Sequence, residues 1–182
     1  MKTPIQITVA GVLLLLSGCF FSRAGGVERK VYDLGSAEVR CSIPVCIDGI
    51  RNSSGADRRF FYRTKDNRIE FDSGNFWLLE PEQAVKKLLR GSFGSCTADG
   101  IRIEGVIDDF GFDLEKKEAV LTVNFTLSKD GKTAGVKCSE RSSFDGRSAA
   151  SASRAMNKCA SKMAEKLAKE IEKFSGSKGE KK

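Results

Sequence analysis

The chain has 182 residues, 40% of them hydrophobic, and its 31 Lys+Arg against 24 Asp+Glu leave a formal charge of +7. That length suits one ordinary domain with a core of its own, and a charged fraction of 30% with interspersed signs fits a folded body, not a disordered one. Histidine is absent, which removes imidazole as general base, proton shuttle and zinc ligand.

Met1-Lys2-Thr3 gives a short positive start, and Ile5 to Leu16 is an apolar run too short to span a bilayer comfortably. It leads into Leu16-Ser17-Gly18-Cys19, which resembles the lipobox of bacterial lipoproteins. Small residues before the cysteine let an extended chain enter a peptidase cleft, and the Cys19 thiol can then accept a diacylglyceryl group. Several acyl chains such as palmitate, at about 0.8 kcal/mol per buried methylene, hold a protein on a membrane where one chain would not. Phe20 follows, without the Asp that commonly retains lipoproteins at the inner membrane. The expectation is a lipid-anchored, periplasm-facing protein of a Gram-negative outer membrane. A basic protein outside the cytoplasm meets lipids and envelope proteins rather than nucleic acid. The predicted organisation is a signal over 1–18, a lipidated tether over 19–30, a domain over 31–174 and a disordered tail over 175–182.

Along the domain, Val39, Cys41, Ile43, Val45 and Ile47 alternate with Glu38, Arg40, Ser42 and Asp48, which predicts a half-buried strand. Asn52 to Ala56 reads as a loop. Residues 59–63 and 68–71 predict a hairpin turning at Lys65-Asp66-Asn67. Ser73-Gly74-Asn75 then breaks the pattern before the extended Phe76-Trp77-Leu78-Leu79. Pro81 and Glu82 suit a helix start, Ala84, Val85, Leu88 and Leu89 form its apolar face, and Gly91 fits its cap. A strand from Ile101 to near Phe112 follows, with a turn over residues 113–117. The alternation Leu121, Val123, Phe125, Leu127 and the turn Asp130-Gly131 predict two more strands, the last with Ala134, Val136 and Cys138 inward. Ser148 can cap a final helix whose stripe runs Ala149, Ala152, Met156, Ala160, Met163, Leu167, Ile171 and Phe174. The fold class is α+β: an antiparallel sheet of a hairpin plus a three-strand meander, with two helices packed on one face.

Cys41, Cys46, Cys96, Cys138 and Cys159 contain no CxxC spacing, and five is odd, so at least one thiol is free or pairs between chains. Structural disulfides or buried thiols are favoured over reactive sites, and the pairing stays open. Asp108 and Asp109, adjacent in a strand, are expected on opposite faces and so unable to flank one bond. No serine has a histidine to activate it. The sequence therefore offers no catalytic residues, no metal site and no cofactor.

Phe61-Tyr62-Arg63, Asp66-Asn67-Arg68-Ile69 and Asn75 to Pro81 together resemble the ABC-type transport auxiliary lipoprotein family. There, a "YR…NRI" hairpin leads through an aromatic turn into the first helix, and Ile107-Asp108-Asp109-Phe110 is similar to a later strand. The resemblance covers residues 31–174. It implies a non-enzymatic role: an outer-membrane lipoprotein accompanying a mammalian-cell-entry (MCE) type lipid-transport system and docking its periplasmic tunnel protein. Tyr62, Arg63 and Trp77 lie in the matching block and are the candidate partner-binding residues. For the residues taken alone, core packing of Tyr62 and Trp77 and a solvated strand face for Arg63 are the stronger expectation. The alternative function is a structural or surface-interaction lipoprotein without an ABC partner. Homo-oligomerisation is left open.

Overall fold

The computed structural model describes residues 28–176, apart from 40, 67, 94, 95 and 147. The apolar run, Cys19 and residues 177–182 lie outside the described residues. The elements in order are β1 (Lys30–Tyr32), β2 (Val45–Asn52), β3 (Arg59–Arg63), β4 (Ile69–Trp77), α1 (Pro81–Phe93), β5 (Ile101–Asp113), β6 (Glu118–Lys129), β7 (Lys132–Ser143) and α2 (Ala149–Gly176).

The fold class is the expected α+β, with both helices against one face of an open seven-stranded sheet. The strand order is β1-β4-β3-β5-β6-β7, and β2 also pairs with β5. The β3–β4 hairpin and the β5–β6–β7 meander are antiparallel, as their turns require. Asp130 (φ 50°) and Gly131 (φ 75°) supply the two left-handed residues of the tight β6–β7 turn. Beyond that pattern, β1 runs parallel to β4, and both β2 and β3 run parallel to β5. β2 and β3 share one edge of β5: β2 takes Ile101 to Ile107, and β3 takes Phe112 and Asp113. Between them the Ser53 amide donates to the Ile107 carbonyl at 2.9 Å, closing the gap in the ladder.

α2 is 28 residues long, about 42 Å at 1.5 Å per residue, and runs over β5, β6 and β7. Ser148 caps it, its hydroxyl accepting from the Ser151 amide at 3.2 Å. The predicted stripe is buried from Ala152 to Ile171, and Ala155, Ala164 and Ala168 join it, small enough for the helix to lie close on the sheet. At one end the core becomes aromatic. Trp77 stacks on Phe60 (centroids 4.7 Å) and meets Phe110 edge-on at 5.4 Å, and Phe112 lies 5.1 Å from Phe60.

Four local expectations are corrected. The strand expected from Val39 begins only at Val45, after Pro44, and its alternation breaks at a bulge between Ile47 and Gly49, so Ile50 turns inward. Ser73-Gly74-Asn75 is no break but an irregularity inside β4. Gly91 does not cap α1; the helix continues to Phe93, with the buried Ser92 hydroxyl donating to the Leu88 carbonyl at 2.9 Å. The last helix reaches Gly176, into the segment expected to be a disordered tail.

Cys46 and Cys96 form a disulfide across 50 residues, tying β2 to the loop after α1. Cys41, Cys138 and Cys159 are free thiols. Burial pushes the Cys138 thiol up to about 11 and the Cys159 thiol up to about 12, so both stay protonated at neutral pH. Cys41 is half-buried and is therefore expected to react first with a maleimide, with Cys138 and Cys159 modified only on unfolding; mass spectrometry of a labelling time course checks the order. Loop closure over 50 residues predicts that Cys46→Ala with Cys96→Ala lowers the unfolding free energy by about 4 kcal/mol. Urea denaturation of wild type and double variant measures it.

Candidate interaction surface

The helices cover one face of the sheet, and the other face carries the most unusual surface chemistry. In β3, Phe60 and Tyr62 alternate with Arg59, Phe61 and Arg63, and Phe60 is fully buried in the helix-side core. Arg59, Phe61 and Arg63 therefore point away from the helices. The β3–β4 register sets Phe71 opposite Phe61 and Phe76 opposite Arg59. Phe71 and Phe76 are five residues apart and would face opposite ways in a regular strand. The intervening residues absorb the difference. The Asp72 carboxylate accepts from the amides of Gly74 (2.8 Å) and Asn75 (3.0 Å) and from the Asn75 side chain (2.8 Å), folding residues 72–75 into a compact bulge. Both phenylalanines end on the outward face, while Trp77 turns into the core.

Phe61 and Phe71 meet edge to face at 5.7 Å, and the Arg59 guanidinium lies 4.1 Å above Phe71. Arg29 sits 5.6 Å over Phe76. Val31, paired with Phe76, is 55% exposed, Ile69 is 50% exposed and Phe71 is 40% exposed. Val31 and Phe76, with Arg29, Arg58, Arg59, Asp57 and Glu80, line a shallow groove of about 400 Å³ at the β1 end of the sheet. Ion pairs frame this apolar strip: Arg59 with Asp57 (2.5 Å) and Arg63 with Asp109 (3.1 Å). The hydrogen bond from Arg59 holds the Asp57 carboxyl below its ordinary range. Each pair is exposed and contributes little to stability.

Of the three candidate partner-binding residues, only Arg63 stands on this face. Trp77 is 1% exposed and packs in the core, so its side chain offers no contact to a partner. Tyr62 is half-buried on the helix side, 5.4 Å from Phe112, with its hydroxyl 3.4 Å from the Asp72 carboxylate. Burial and that carboxylate raise the phenol above its ordinary range. Core packing thus describes Trp77 and most of Tyr62. Phe71, Phe76, Val31 and Arg59 were not singled out in the sequence, because the signal for them is the Asp72-Ser73-Gly74-Asn75 turn that changes which side Phe76 faces.

Asp108 and Asp109 are placed differently from the expectation as well. Ile107, Phe110 and Phe112 are all buried, which requires a change of alternation between 107 and 110, and β5 has its irregularity there. Both carboxylates consequently lie on the outward face. Asp109 accepts from Arg63, whereas Asp108 accepts from the Asn124 side chain and from the Ser53 hydroxyl. Their partners differ, so the two are not turned toward a shared centre. No group of three His, Cys, Asp or Glu among the described residues is placed to hold a metal ion. No helix among them is long and apolar enough to cross a membrane.

The solved structures that share this fold include two that align with most of this chain. One, described as an uncharacterized protein, aligns with a TM-score of 0.69 at 12% identity, over 79% of this chain and 99% of that one. The other, protein XCC0632 from Xanthomonas campestris, described under family DUF330, aligns with a TM-score of 0.63 at 11% identity, over 81% of this chain and 95% of that one. At these identities the likeness is one of fold. No family model and no curated protein matches the chain.

Gly111 underlies the Phe61 ring: a Cβ there would collide with the ring and lie 2.9 Å from the Phe61 carbonyl. Gly111→Ala is therefore expected to lower stability by about 1–3 kcal/mol, as overpacking does, and to lift Phe61 off β5. Denaturation midpoints, with chemical shifts of the Phe61 and Phe71 rings, test both effects.

Proposed function

We propose that this chain is a non-enzymatic, lipid-anchored outer-membrane protein, auxiliary to an ABC-type (MCE) intermembrane lipid-transport system, where it docks the periplasmic tunnel protein. The observation that carries the reading is the pairing of the lipobox at Cys19 with the block from Phe61 to Pro81. That block folds as one unit, a hairpin whose second strand delivers Trp77 to the core and passes directly into α1. The α+β fold shared with the DUF330 protein is compatible with this reading.

The physical task is to hold a conduit against a membrane. A lipid crossing water exposes apolar surface at about 25 cal/mol per Å², so the conduit must reach the bilayer. An anchored adaptor has little translational freedom left, which raises the effective concentration of a partner reaching across from the opposite membrane. The protein meets that task by binding, and a stable sheet with two docked helices is a suitable rigid platform for it.

Mild crosslinking of intact envelopes, followed by purification of the chain, is expected to capture an MCE-type protein. Cys19→Ala is expected to move the chain out of the outer-membrane fraction and to abolish that capture. Repeated crosslinking without such a partner, with the chain still in the membrane fraction, would overturn the transport role. Trimming by protease added to whole cells would instead mark a surface-interaction lipoprotein.

A further inference from the structure

The exposed apolar residues of the outward face are confined to one edge of the sheet. Val31, Ile69 and Phe71, among the exposed large hydrophobic side chains, belong to β1 and β4, and Phe76 is opposite Val31. Across the sheet the same outward face is polar. Thr122, Asn124 and Thr126 of β6 pair with Ser139, Lys137 and Gly135 of β7. An apolar strip with arginines at its margin, on an otherwise polar face, is the composition of a surface that meets an interface.

The covalent chain says which interface. Cys19 lies eleven residues before Lys30, the first residue of β1, a span of at most about 35–40 Å when fully extended. The tether therefore enters the sheet at the strand that carries Val31. β1 is parallel to β4, with Lys30 beside Asn75 and Tyr32 beside Trp77, so the chain arrives at β1 from the end of the sheet where β4 begins, at Ile69. Charge agrees with this placement. Arg29 and Arg59 lie over the rings of Phe76 and Phe71, and with Arg58 they line the groove against Asp57 and Glu80, a net positive lining. Guanidinium groups flanking aromatic rings suit a layer in which phosphates overlie hydrocarbon.

We propose that the outward β1–β4 edge, through Val31, Ile69, Phe71 and Phe76 with Arg29 and Arg59, seats on the phospholipid headgroup layer of the membrane that holds the anchor. This rests on the lipidation of Cys19 proposed above. The seat fixes the orientation of an otherwise swivelling domain: the β1–β4 edge meets lipid, and the outer side of α2, with the exposed Arg154, Lys158 and Lys162, is left to the aqueous side. The tether makes a weak contact sufficient, because the surface is never farther away than the tether allows.

The lipidated protein, in a Cys41→Ser background, is reconstituted into vesicles of phosphatidylethanolamine with phosphatidylglycerol as the anionic lipid. Single cysteines at Val31→Cys, Phe71→Cys and Lys158→Cys carry a bimane probe, and a phospholipid with a nitroxide near its headgroup is the quencher. Probes at Val31→Cys and Phe71→Cys are expected to be quenched about threefold more than the one at Lys158→Cys. Adding Phe71→Glu is expected to bring the Val31→Cys probe down to the Lys158→Cys level while the protein still floats with the vesicles. Equal quenching at all three positions in floating protein overturns the proposal alone. So does shielding of the β1–β4 probes from aqueous iodide in native envelopes but not in vesicles, which would assign the strip to a protein partner. Failure of the wild type to float overturns the anchor and this proposal with it.

Discussion

The change of alternation in β5 between Ile107 and Asp109 is the constraint on which the domain depends. β5 is the strand that β2, β3 and β6 all pair with, and it lies beneath both helices. Continued alternation from Ile101, Ile103 and Ile107 would carry Asp109, Gly111 and Asp113 into the core and leave Phe110 and Phe112 outside. Burying two carboxylates without partners would cost several kcal/mol each, enough to unfold a domain of this size. One irregular residue reverses the assignment. Phe110 and Phe112 then complete the aromatic cluster around Trp77 and Phe60. On the other side, Gly111 leaves the space that Phe61 occupies.

The same device recurs in β2 at Ile47–Gly49 and in β4 over residues 72–75, and these places mark where the sequence stops being legible. The final helix and the β6–β7 hairpin were readable because their periods hold throughout: α2 keeps spacings of three and four, and β6 alternates cleanly between the two tight turns at its ends. Pattern reading assumes a constant period, and a bulge violates it without altering composition. Only at β4 does the sequence carry a local hint, since an Asp two residues before Gly-Asn invites the carboxylate-to-amide bonds seen there. The parallel pairings of β1, β2 and β3 were not legible for a different reason. They join residues tens of positions apart, and no local signal specifies such a register. The Cys46–Cys96 pairing is a consequence of that register, because β2 beside β5 brings Cys46 next to the loop that precedes Ile101.

The candidate surface follows from these irregularities. Had β4 kept its period from Ile69 and Phe71, Phe76 would turn toward the core and Trp77 outward. The turn at Asp72 brings Phe71 and Phe76 to the same face. The ring contacts of Arg29 and Arg59 then partly cover them, and their guanidinium groups stay in water. This explains how the fold tolerates such a strip: Phe71 and Phe76 each have a cation over the ring, and the Arg59–Asp57 pair offsets part of the local charge. A weak surface of this kind suits a contact supported by a tether better than one that must form from free solution.

Sheet topology and the proposed anchor are linked through the shortest strand. β1 contributes three residues and little core, yet its parallel register on β4 and the bond from the Leu78 amide to the Tyr32 carbonyl at 2.7 Å fix where the N-terminal chain joins the domain. In an antiparallel register the tether would arrive from the other end of β4, at Trp77 and α1, and the apolar edge would point away from its attachment. A three-residue edge strand is held mainly by its backbone ladder, and its separation from β4 would free Val31 and the tether together. The orientation proposed for the domain at a membrane thus depends on a pairing of three residues. Core packing around Trp77 can therefore hold the fold while the β1–β4 register sets which face the fold presents.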